Sequence, residues 1–329
     1  MGVKNWSFVP WQTDNLVDTA IETIAVDTPN YMTRRISSFE YGHCQVPGRV
    51  PTAHVHVLYS FIRGSLLNNV LPIFIFDGPP EARKRPTNPS LIQLARSLYA
   101  QFMREQDVFD TEIAEALIEN PALKWYFRAS HIRDLCVSLG IPSVTASSEA
   151  EMTAAALVIQ GRAETVLSND SDALLFGSAH VTRSIRFSSR EIENVTLDAL
   201  KKCLGLNLMQ LKDLAIICGC DFHPGMKGVG PRKGIVLLNR FGNLESILKC
   251  KGISQTERNE FLNAREIFDE AEDIRADSLD LSLNAPIVPR VLKLFSPIIG
   301  EENANRTARE IVATWKDFGK EQATLERWV

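Results

Sequence analysis

Carboxylates follow four short apolar segments in the first 190 residues of the sequence. Each segment is rich in β-branched and aromatic residues, which favour strands. The acids just beyond these segments are Asp27, Asp77, the pair Glu149 and Glu151, and the pair Asp170 and Asp172. Hard divalent cations prefer oxygen ligands, so a set of carboxylates is typical of sites that hold such ions. The chemistry that this set could support is metal-assisted hydrolysis of a phosphodiester.

Alternating strands and helices must position these acids. Strands are predicted at residues 22–26, 72–76, 141–145, 165–168 and 180–185. Helical stretches separate them, and from about residue 195 onward the pattern is that of helices and loops. This order predicts an α/β fold with a mainly parallel central sheet flanked by helices. Because the carboxyl ends of parallel strands share one edge of a sheet, we expect the acids to converge there.

A bare group of carboxylates in a cleft repels itself, and bound cations relieve that repulsion. Two divalent ions about 3.5–4 Å apart can activate a water molecule and stabilise the leaving oxygen of an in-line displacement. The central pair of the group is Asp170 and Asp172, separated only by Ser171.

Two of the acidic segments also have purely structural interpretations. The run Asp77-Gly78-Pro79-Pro80 (77–80) could be no more than a turn. Ser148 and Glu151 have the Ser-x-x-Glu spacing of a capping box, which needs no metal but leaves Glu149 unexplained.

A second constellation lies at residues 211–241. An apolar helical stretch precedes a glycine-containing turn, and Pro231 suits the first position of the helix that follows. Gly228 and Gly230 permit a tight hairpin whose N–H groups could hold a phosphate. The neighbouring cations are Lys227, Arg232 and Lys233. The pattern is typical of a helix-hairpin-helix that binds the DNA backbone, and the alternative is a capped helix beside a solvated basic turn.

The bulk properties bound the class of protein. The 329 residues are 45% hydrophobic, which suffices for one large domain or two unequal ones. No apolar run is long enough to span a bilayer, and the first residues lack the pattern of a secretion signal. The six cysteines show no zinc-type spacing, so reduced and buried thiols are expected.

Several blocks of sequence, in this order and spacing, resemble the flap endonucleases, an XPG/Rad2-type branch of the structure-specific 5′-nucleases. The resemblance extends over nearly the whole chain. The blocks are MGV (1–3), PIFIFDGPP (72–80), SEAEMTAAALV (148–158), LSNDSDALLFGS (167–178) and ICGCDFHPGMKGVGPRK (217–233).

The resemblance implies a PIN-like α/β core with a helical arch and a helix-hairpin-helix. It also implies a 5′-flap endonuclease and 5′-3′ exonuclease that acts in Okazaki fragment processing and long-patch repair. Such enzymes need two Mg²⁺, for which Mn²⁺ may substitute, and often bind K⁺ at the hairpin. The related alternatives are a nuclease for gaps, bubbles or four-way junctions, and a non-catalytic DNA-binding scaffold on the same core.

The resemblance also implies the roles of individual residues. Asp221 joins the six acids as a seventh metal-site residue, and Gly2 would lie near the active site. Either Arg83 or Lys84 would be the catalytic cation of the arch, with Arg96 as a possible second. Thr52 and His54 resemble the segment that holds a 3′-flap nucleotide. The net charge of the chain is −4, and the seven acids together carry −7. The remainder of the chain therefore carries +3, which is compatible with binding DNA.

One departure from the family pattern concerns substrate stacking. The family has a stacking tyrosine six residues after its first aspartate, and this sequence has Thr33 at that position, with Tyr31 nearby.

The implied organisation is a single nuclease domain over residues 1–300, followed by a C-terminal segment at 301–329. Within the domain, the N-terminal nuclease region is about 1–82, the arch about 83–133, and the internal nuclease region about 134–300.

The end of the sequence resembles a sliding-clamp (PCNA) binding motif. Its expected clamp-binding residues are Gln322, Leu325, Trp328 and Val329. Such residues place apolar groups on one face of a short turn, which suits a hydrophobic pocket. The expected partners are therefore 5′-flap DNA and a clamp, with no membrane and a monomeric chain. Because no Lys-rich tail follows the motif, an archaeal-type protein of the cytoplasm and nucleoid is expected, or a nuclear protein if the source is eukaryotic.

Overall fold

The computed structural model describes residues 8–42, 46–78 and 89–318. Within these ranges the chain is a mixed α/β fold whose seven strands belong to one sheet. The strands are β1 Gln12–Asn15, β2 Thr23–Asp27, β3 Leu71–Phe76, β4 Ser143–Thr145, β5 Thr165–Leu167, β6 His180–Arg186 and β7 Glu191–Thr196. The predicted α/β class with a mainly parallel sheet is confirmed.

Thirteen α-helices occur in the described residues. They are α1 Thr28–Tyr41, α2 Ala53–Leu67, α3 Pro89–Glu105, α4 Thr111–Glu119, α5 Pro121–Leu139, α6 Ala150–Ile159, α7 Leu197–Leu204, α8 Leu208–Cys218, α9 Pro231–Phe241, α10 Leu244–Cys250, α11 Gln255–Asp269, α12 Val288–Ile299 and α13 Glu301–Asp317. Short 3₁₀ helices cover Leu16–Asp18, Asp172–Leu174, Glu270–Asp273 and Ala276–Ser278. None of the helices described is long and apolar enough to cross a membrane.

The chain divides into two compact units. The first comprises the described residues within 1–27, 77–86 and 146–279. Its strands have the order β1-β7-β6-β5-β2, in which β5 pairs in parallel with β2 and β6. Helix α6 packs on β2 and β5 with a face of small and apolar side chains, because alanines allow a helix to approach a sheet closely. This packing places the start of α6 beside the ends of two strands.

The second unit comprises the described residues within 28–76, 87–145 and 280–329. It holds the parallel pair β3 and β4. Helices α3, α4 and α5 enclose an apolar cluster of their own. The buried members of that cluster are Val50, Ala95, Tyr99, Phe102, Ile113, Leu117, Leu123 and Phe127. The expected arch and domain boundaries stay predictions.

Two strands, β1 and β7, were not predicted from sequence. All four residues of β1 are exposed, and β7 alternates buried Ile192 and Val195 with charged and polar residues. Their pairings, β1 with β7 and β7 with β6, are antiparallel. Polar segments of this kind acquire strand structure from hydrogen bonds to a neighbour, which local sequence does not specify.

Candidate active site

Ser168 connects two of the acidic strand ends. Asp27 is the last residue of β2 and is 5% exposed, and Ser168 directly follows β5. The Ser168 hydroxyl donates to Asp27 Oδ2 at 3.0 Å and accepts the N–H of Asp170 at 3.2 Å. Sequence reasoning did not single out Ser168. Its place between a parallel strand and an acidic pair was the available signal.

The turn at Asp170 and Asp172 holds the carboxylate of Glu151. Asp170 Oδ1 accepts the N–H of Ser171 at 2.8 Å, which fixes the turn. Asp172 begins a short 3₁₀ helix and is 5% exposed. The next residue, Ala173, donates its N–H to Glu151 Oε1 at 2.9 Å. Helix α6 is thereby tied to the acidic turn.

The electrostatics of Glu151 show that these carboxylates are neighbours. Burial raises the pKa of Glu151 well above its usual range, and the charges of Asp172, Asp170 and Asp27 raise it further, in that order. Acids from β2, from α6 and from the turn after β5 therefore form one cluster. The predicted convergence of these four residues is observed.

The capping-box interpretation of Ser148 and Glu151 is wrong. Glu149, not Ser148, is the N-cap residue of α6, and its own side chain makes no capping hydrogen bond. The carboxylate of Glu151 instead accepts from Ala173, in a different segment. A capping box would have turned Glu151 back to its own helix end, whereas here it faces the acidic cluster.

Asp77 lies in a turn that brings its carboxylate to the start of α6. Asp77 Oδ1 accepts the N–H of Ala150 at 3.0 Å, and the N–H of Gly78 donates to the carbonyl of Ser148 at 2.7 Å. A Cβ on Gly78 would lie 2.1 Å from the carbonyl oxygen of Ala146. Only glycine permits this approach, so the turn and an acidic role for Asp77 are compatible.

Asp221 directly follows a buried cysteine that lies near Asp172. Burial raises the pKa of Cys220 to about 11, and the charges of Asp172 and Asp221 contribute to that rise. The adjacent Phe222 packs edge-on against Phe176, with ring centroids 6.4 Å apart, and against Phe268 at 5.4 Å. Aromatic packing therefore joins the segment of Asp221 to the segment that follows Asp172.

The acids are close together without forming a ready-made coordination shell. Within residues 8–42, 46–78 and 89–318, no group of three or more His, Cys, Asp or Glu side chains is arranged to hold a metal ion. The five described cysteines are free, and Cys203 and Cys250 are exposed rather than buried.

The hairpin between α8 and α9 matches its predicted bounds closely. Pro231 is the first residue of α9, as expected, and Gly230 is its N-cap. Gly228 has a φ of +75°, which favours glycine. A Cβ on Gly234 would lie 2.5 Å from Leu214 Cδ1, so a larger residue where α9 crosses α8 would force the Leu214 side chain to move.

The hairpin cations differ in what they contact. The Lys233 ammonium donates to the carbonyl of Gly228 at 3.1 Å and so closes the loop. Lys227 and Arg232 are exposed beside it. The first N–H groups of α9 lie at the same end of the hairpin, an arrangement that attracts anions.

The two residues expected to hold a 3′-flap nucleotide differ in exposure. Thr52 is partly buried at the N-cap of α2. His54 is fully buried, and its Nε2 lies 2.9 Å from Nδ1 of His131. Burial lowers the pKa of both imidazoles, that of His131 to about 3, so the pair is neutral. The expected DNA contact does not fit this position of His54.

Arg96 is exposed on α3, in the neighbourhood of a second cation. Burial, and then the charge of Arg96, lower the pKa of Arg133 on α5. The guanidinium of Arg133 lies 4.6 Å from the ring centroid of Phe76, at the end of β3. Sequence reasoning did not identify Arg133. The remaining predicted residues lie outside the described residues: Gly2, Arg83, Lys84, Gln322, Leu325, Trp328 and Val329.

Comparison with protein families places a known region over the central acids. Residues 140–221 match the XPG I-region. This range includes Glu149, Glu151, Asp170 and Asp172, and it ends on Asp221.

Two relatives and one solved structure are similar to this chain over a much longer range. The flap endonuclease 1 of Leishmania major is 30% identical over 75% of this chain, but the match spans only 65% of that protein. The flap endonuclease 1 of Ignicoccus hospitalis is 27% identical over 85% of this chain and 83% of its own length. The structure of flap endonuclease-1 from Methanococcus jannaschii superimposes with a TM-score of 0.69 and 22% identity, covering 96% of this chain and 99% of that one. By sequence and by fold, this chain is therefore similar to the flap endonucleases, and its residues 140–221 match the XPG I-region.

Proposed function

We propose that the chain is a structure-specific 5′-flap endonuclease with 5′-3′ exonuclease activity. The observation that carries the proposal is the cluster of Asp27, Glu151, Asp170 and Asp172, which come from three segments that are far apart in sequence. Such a cluster costs free energy in the folded state unless protons or bound cations neutralise it, so its presence points to a functional role. The similarity of the chain to the flap endonucleases supports this function, with proposed roles in Okazaki fragment processing and long-patch repair.

The cluster fits a pair of divalent cations. Its donor atoms are oxygens, and the raised pKa of Glu151 indicates repulsion among the carboxylates, which cations would relieve. The residues proposed to hold them are Asp27, Asp77, Glu149, Glu151, Asp170, Asp172 and Asp221. When bound, Mg²⁺ or Mn²⁺ would supply an activated water and charge neutralisation at the scissile phosphate.

The chain's own residues have three further tasks in this proposal. Ser168 and the N–H of Ala173 orient the carboxylates of Asp27 and Glu151. Arg83 or Lys84 would stabilise charge that develops on the phosphate, and Gly2 would lie near the active site. The hairpin would bind the duplex backbone through Gly228, Gly230 and its cations, and K⁺ could bind there as well.

The test is cleavage of a panel of labelled DNA substrates by the purified chain with Mg²⁺. A 5′-flap duplex is expected to be cut near the junction, and faster than nicked, gapped, bubble or four-way junction substrates of the same length. A preference for one of the others would identify a related nuclease instead. No cutting with Mg²⁺ or Mn²⁺, but retained DNA binding, would identify a non-catalytic scaffold.

We also propose a sliding clamp as partner, bound through Gln322, Leu325, Trp328 and Val329. The support is the spacing of these residues in the sequence. The chain would work as a monomer where the DNA is, in the cytoplasm and nucleoid of an archaeon or in a nucleus. Adding clamp to the flap assay, with and without residues 322–329, tests the assignment.

The hairpin proposal predicts a selective effect of Gly230→Ala. Gly230 has a φ of −104°, and an added Cβ would meet nothing within 4 Å. The free energy of unfolding should therefore stay within about 0.5 kcal/mol of the wild type. If a phosphate approaches this backbone, the methyl group should weaken duplex affinity about tenfold. Gly42→Ala, which meets only a carbonyl at 3.7 Å, is the matched control. Equal affinities for the two variants would refute phosphate binding at Gly230.

The acidic cluster predicts a pH dependence of stability in the absence of metal. The folded-state pKa of Glu151 lies above the ordinary value of 4.5, so folding favours its protonated form. The free energy of unfolding should therefore fall as the pH rises above about 4.5. Glu151→Gln removes this titration and keeps an oxygen for the N–H of Ala173. Urea denaturation in EDTA should show a steeper decline for the wild type between pH 4.5 and 7.5. Parallel declines would contradict the assignment.

A further inference from the structure

A cleft of about 740 Å³ lies in the second unit among α3, α5 and α12. Three cations line it, namely Arg104, Arg290 and Lys293. Asp134 is the one carboxylate among its lining residues in the described part of the chain. Met103 and Leu294 add apolar surface. The cleft is therefore positive in a chain whose net charge is −4.

The carboxylate of the cleft is already engaged. Asp134 Oδ2 accepts the hydroxyl of Tyr99 at 2.8 Å. The ring of Tyr99 packs edge-on against Phe127, with centroids 5.7 Å apart, and belongs to the apolar cluster of this unit. Burial, and then the charge of Asp134, raise the pKa of Tyr99, so its hydroxyl remains a neutral donor. Asp134 is thus fixed toward Tyr99.

The cations, by contrast, face solvent. Arg290 and Lys293 are exposed and three residues apart on α12, so they lie on the same face of that helix. Across residues 8–42, 46–78 and 89–318, neither forms an ion pair. Arg104 has only an exposed pairing with Glu105 at 3.4 Å, which contributes little in water. Three cations are therefore available to an anion that enters the cleft.

We propose that this cleft binds the phosphate of a nucleotide. Arg290 and Lys293 would contact the phosphate, and Met103 and Leu294 would offer apolar surface to the sugar and base. The nucleotide is either free in solution or part of a single strand, since both present the same phosphate group. The proposal does not depend on hydrolysis by the acidic cluster, because binding can be measured in EDTA.

The test compares two double variants of the full chain in EDTA. The variant Arg290→Ala with Lys293→Ala removes two cations of the cleft. Its control, Arg309→Ala with Lys316→Ala, removes two exposed cations of α13 that do not line it. The probes are thymidine monophosphate and a ten-residue oligothymidine with 4-thiothymidine at its centre.

The cleft variant is expected to bind the oligothymidine at least about tenfold more weakly than the control at low salt. Its slope of log K against log salt concentration should be smaller by about 0.7, because one phosphate of the single strand is no longer neutralised. Photocrosslinks should map to peptides of α3 and α12. Equal affinity of the two variants, or crosslinks confined to other peptides, would overturn the proposal. Binding of thymidine monophosphate at the cleft would show that a free nucleotide suffices.

Removing a negative charge from the cleft, instead of positive ones, provides a second check. Asp134→Asn removes the negative charge of the cleft but keeps an oxygen for the Tyr99 hydroxyl. An electrostatic phosphate site predicts that this variant binds the oligothymidine about two- to fivefold more tightly. Weaker binding by a variant with an unchanged melting temperature would contradict the assignment.

Discussion

Replacing Asp172 with Asn is expected to lower the rate of flap cleavage by at least about 10²–10³-fold while DNA affinity changes little. Asp172 is 5% exposed and begins the short 3₁₀ helix whose N–H at Ala173 holds Glu151. The substitution keeps the size of the side chain but removes one of the charges proposed to hold a cation. Duplex binding, which we assign to the hairpin, should be retained.

The same substitution should stabilise the metal-free protein. Asp172 is the largest charged contributor to the raised pKa of Glu151, so its removal relieves repulsion within the cluster. About 1 kcal/mol of relief would raise the melting temperature in EDTA by about 2–4 °C. A loss of activity together with a gain in stability would indicate that Asp172 has a functional role and not a structural one.

Single-turnover cleavage with Mg²⁺, filter binding in EDTA and thermal melting together test this prediction. Asp198→Asn is the control, because Asp198 is exposed on α7 and pairs with Lys201 at 2.8 Å. Exposed pairs of this kind contribute little to stability. Cleavage by Asp172→Asn at the wild-type rate would remove Asp172 from the proposed site. A fall in its melting temperature in EDTA would show that its role is structural.

Replacing Gly78 with Ala is expected to lower both stability and activity. The new Cβ would lie 2.1 Å from the carbonyl oxygen of Ala146 and 2.9 Å from the carbonyl carbon of Ser147, and both are backbone atoms. Backbone cannot give way as a flexible side chain can, so the turn must move. Overpacking of this kind costs about 1–3 kcal/mol, and the hydrogen bond from Gly78 to Ser148 would also be strained.

The loss of activity should follow from the displacement of Asp77. Its carboxylate is held on the N–H of Ala150, next to Glu149, so a shift of the turn moves two proposed metal-site acids apart. We expect cleavage to fall by at least about tenfold, with the Mg²⁺ concentration for half-maximal activity increased. Gly42→Ala should change neither property. If Gly78→Ala kept wild-type Mg²⁺ dependence, the turn would not position a metal-site acid.

Local sequence was sufficient for the elements whose pattern is self-contained. The strands that end at Asp27, at Phe76 and before Ser168 were predicted within one or two residues, because short runs of β-branched and aromatic side chains have few alternatives. The start of α9 at Pro231 followed from the fixed φ of proline. The convergence of acids at one sheet edge followed from the parallel order of the strands.

Other features depended on partners that are distant in sequence. The polar strands β1 and β7 exist because they pair with each other and with β6. The family resemblance implied that His54 contacts a nucleotide, yet His54 lies in the interior, within hydrogen-bond distance of His131, 77 positions later. Neither outcome could be read from composition or period, since the deciding contact is tertiary.

The acidic cluster combines both kinds of information. Strand and turn propensities are local, so the amino-acid pattern was sufficient to identify the carboxylates that follow the strands. The contacts of each carboxylate depend on the folded chain. Glu151 accepts the N–H of Ala173 in another segment, and Asp27 accepts the hydroxyl of Ser168, which follows the neighbouring strand. Gly78 permits the close backbone approach that brings Asp77 to α6. The physical reason is that hydrogen bonds and close approaches between distant segments exist only after the chain has folded.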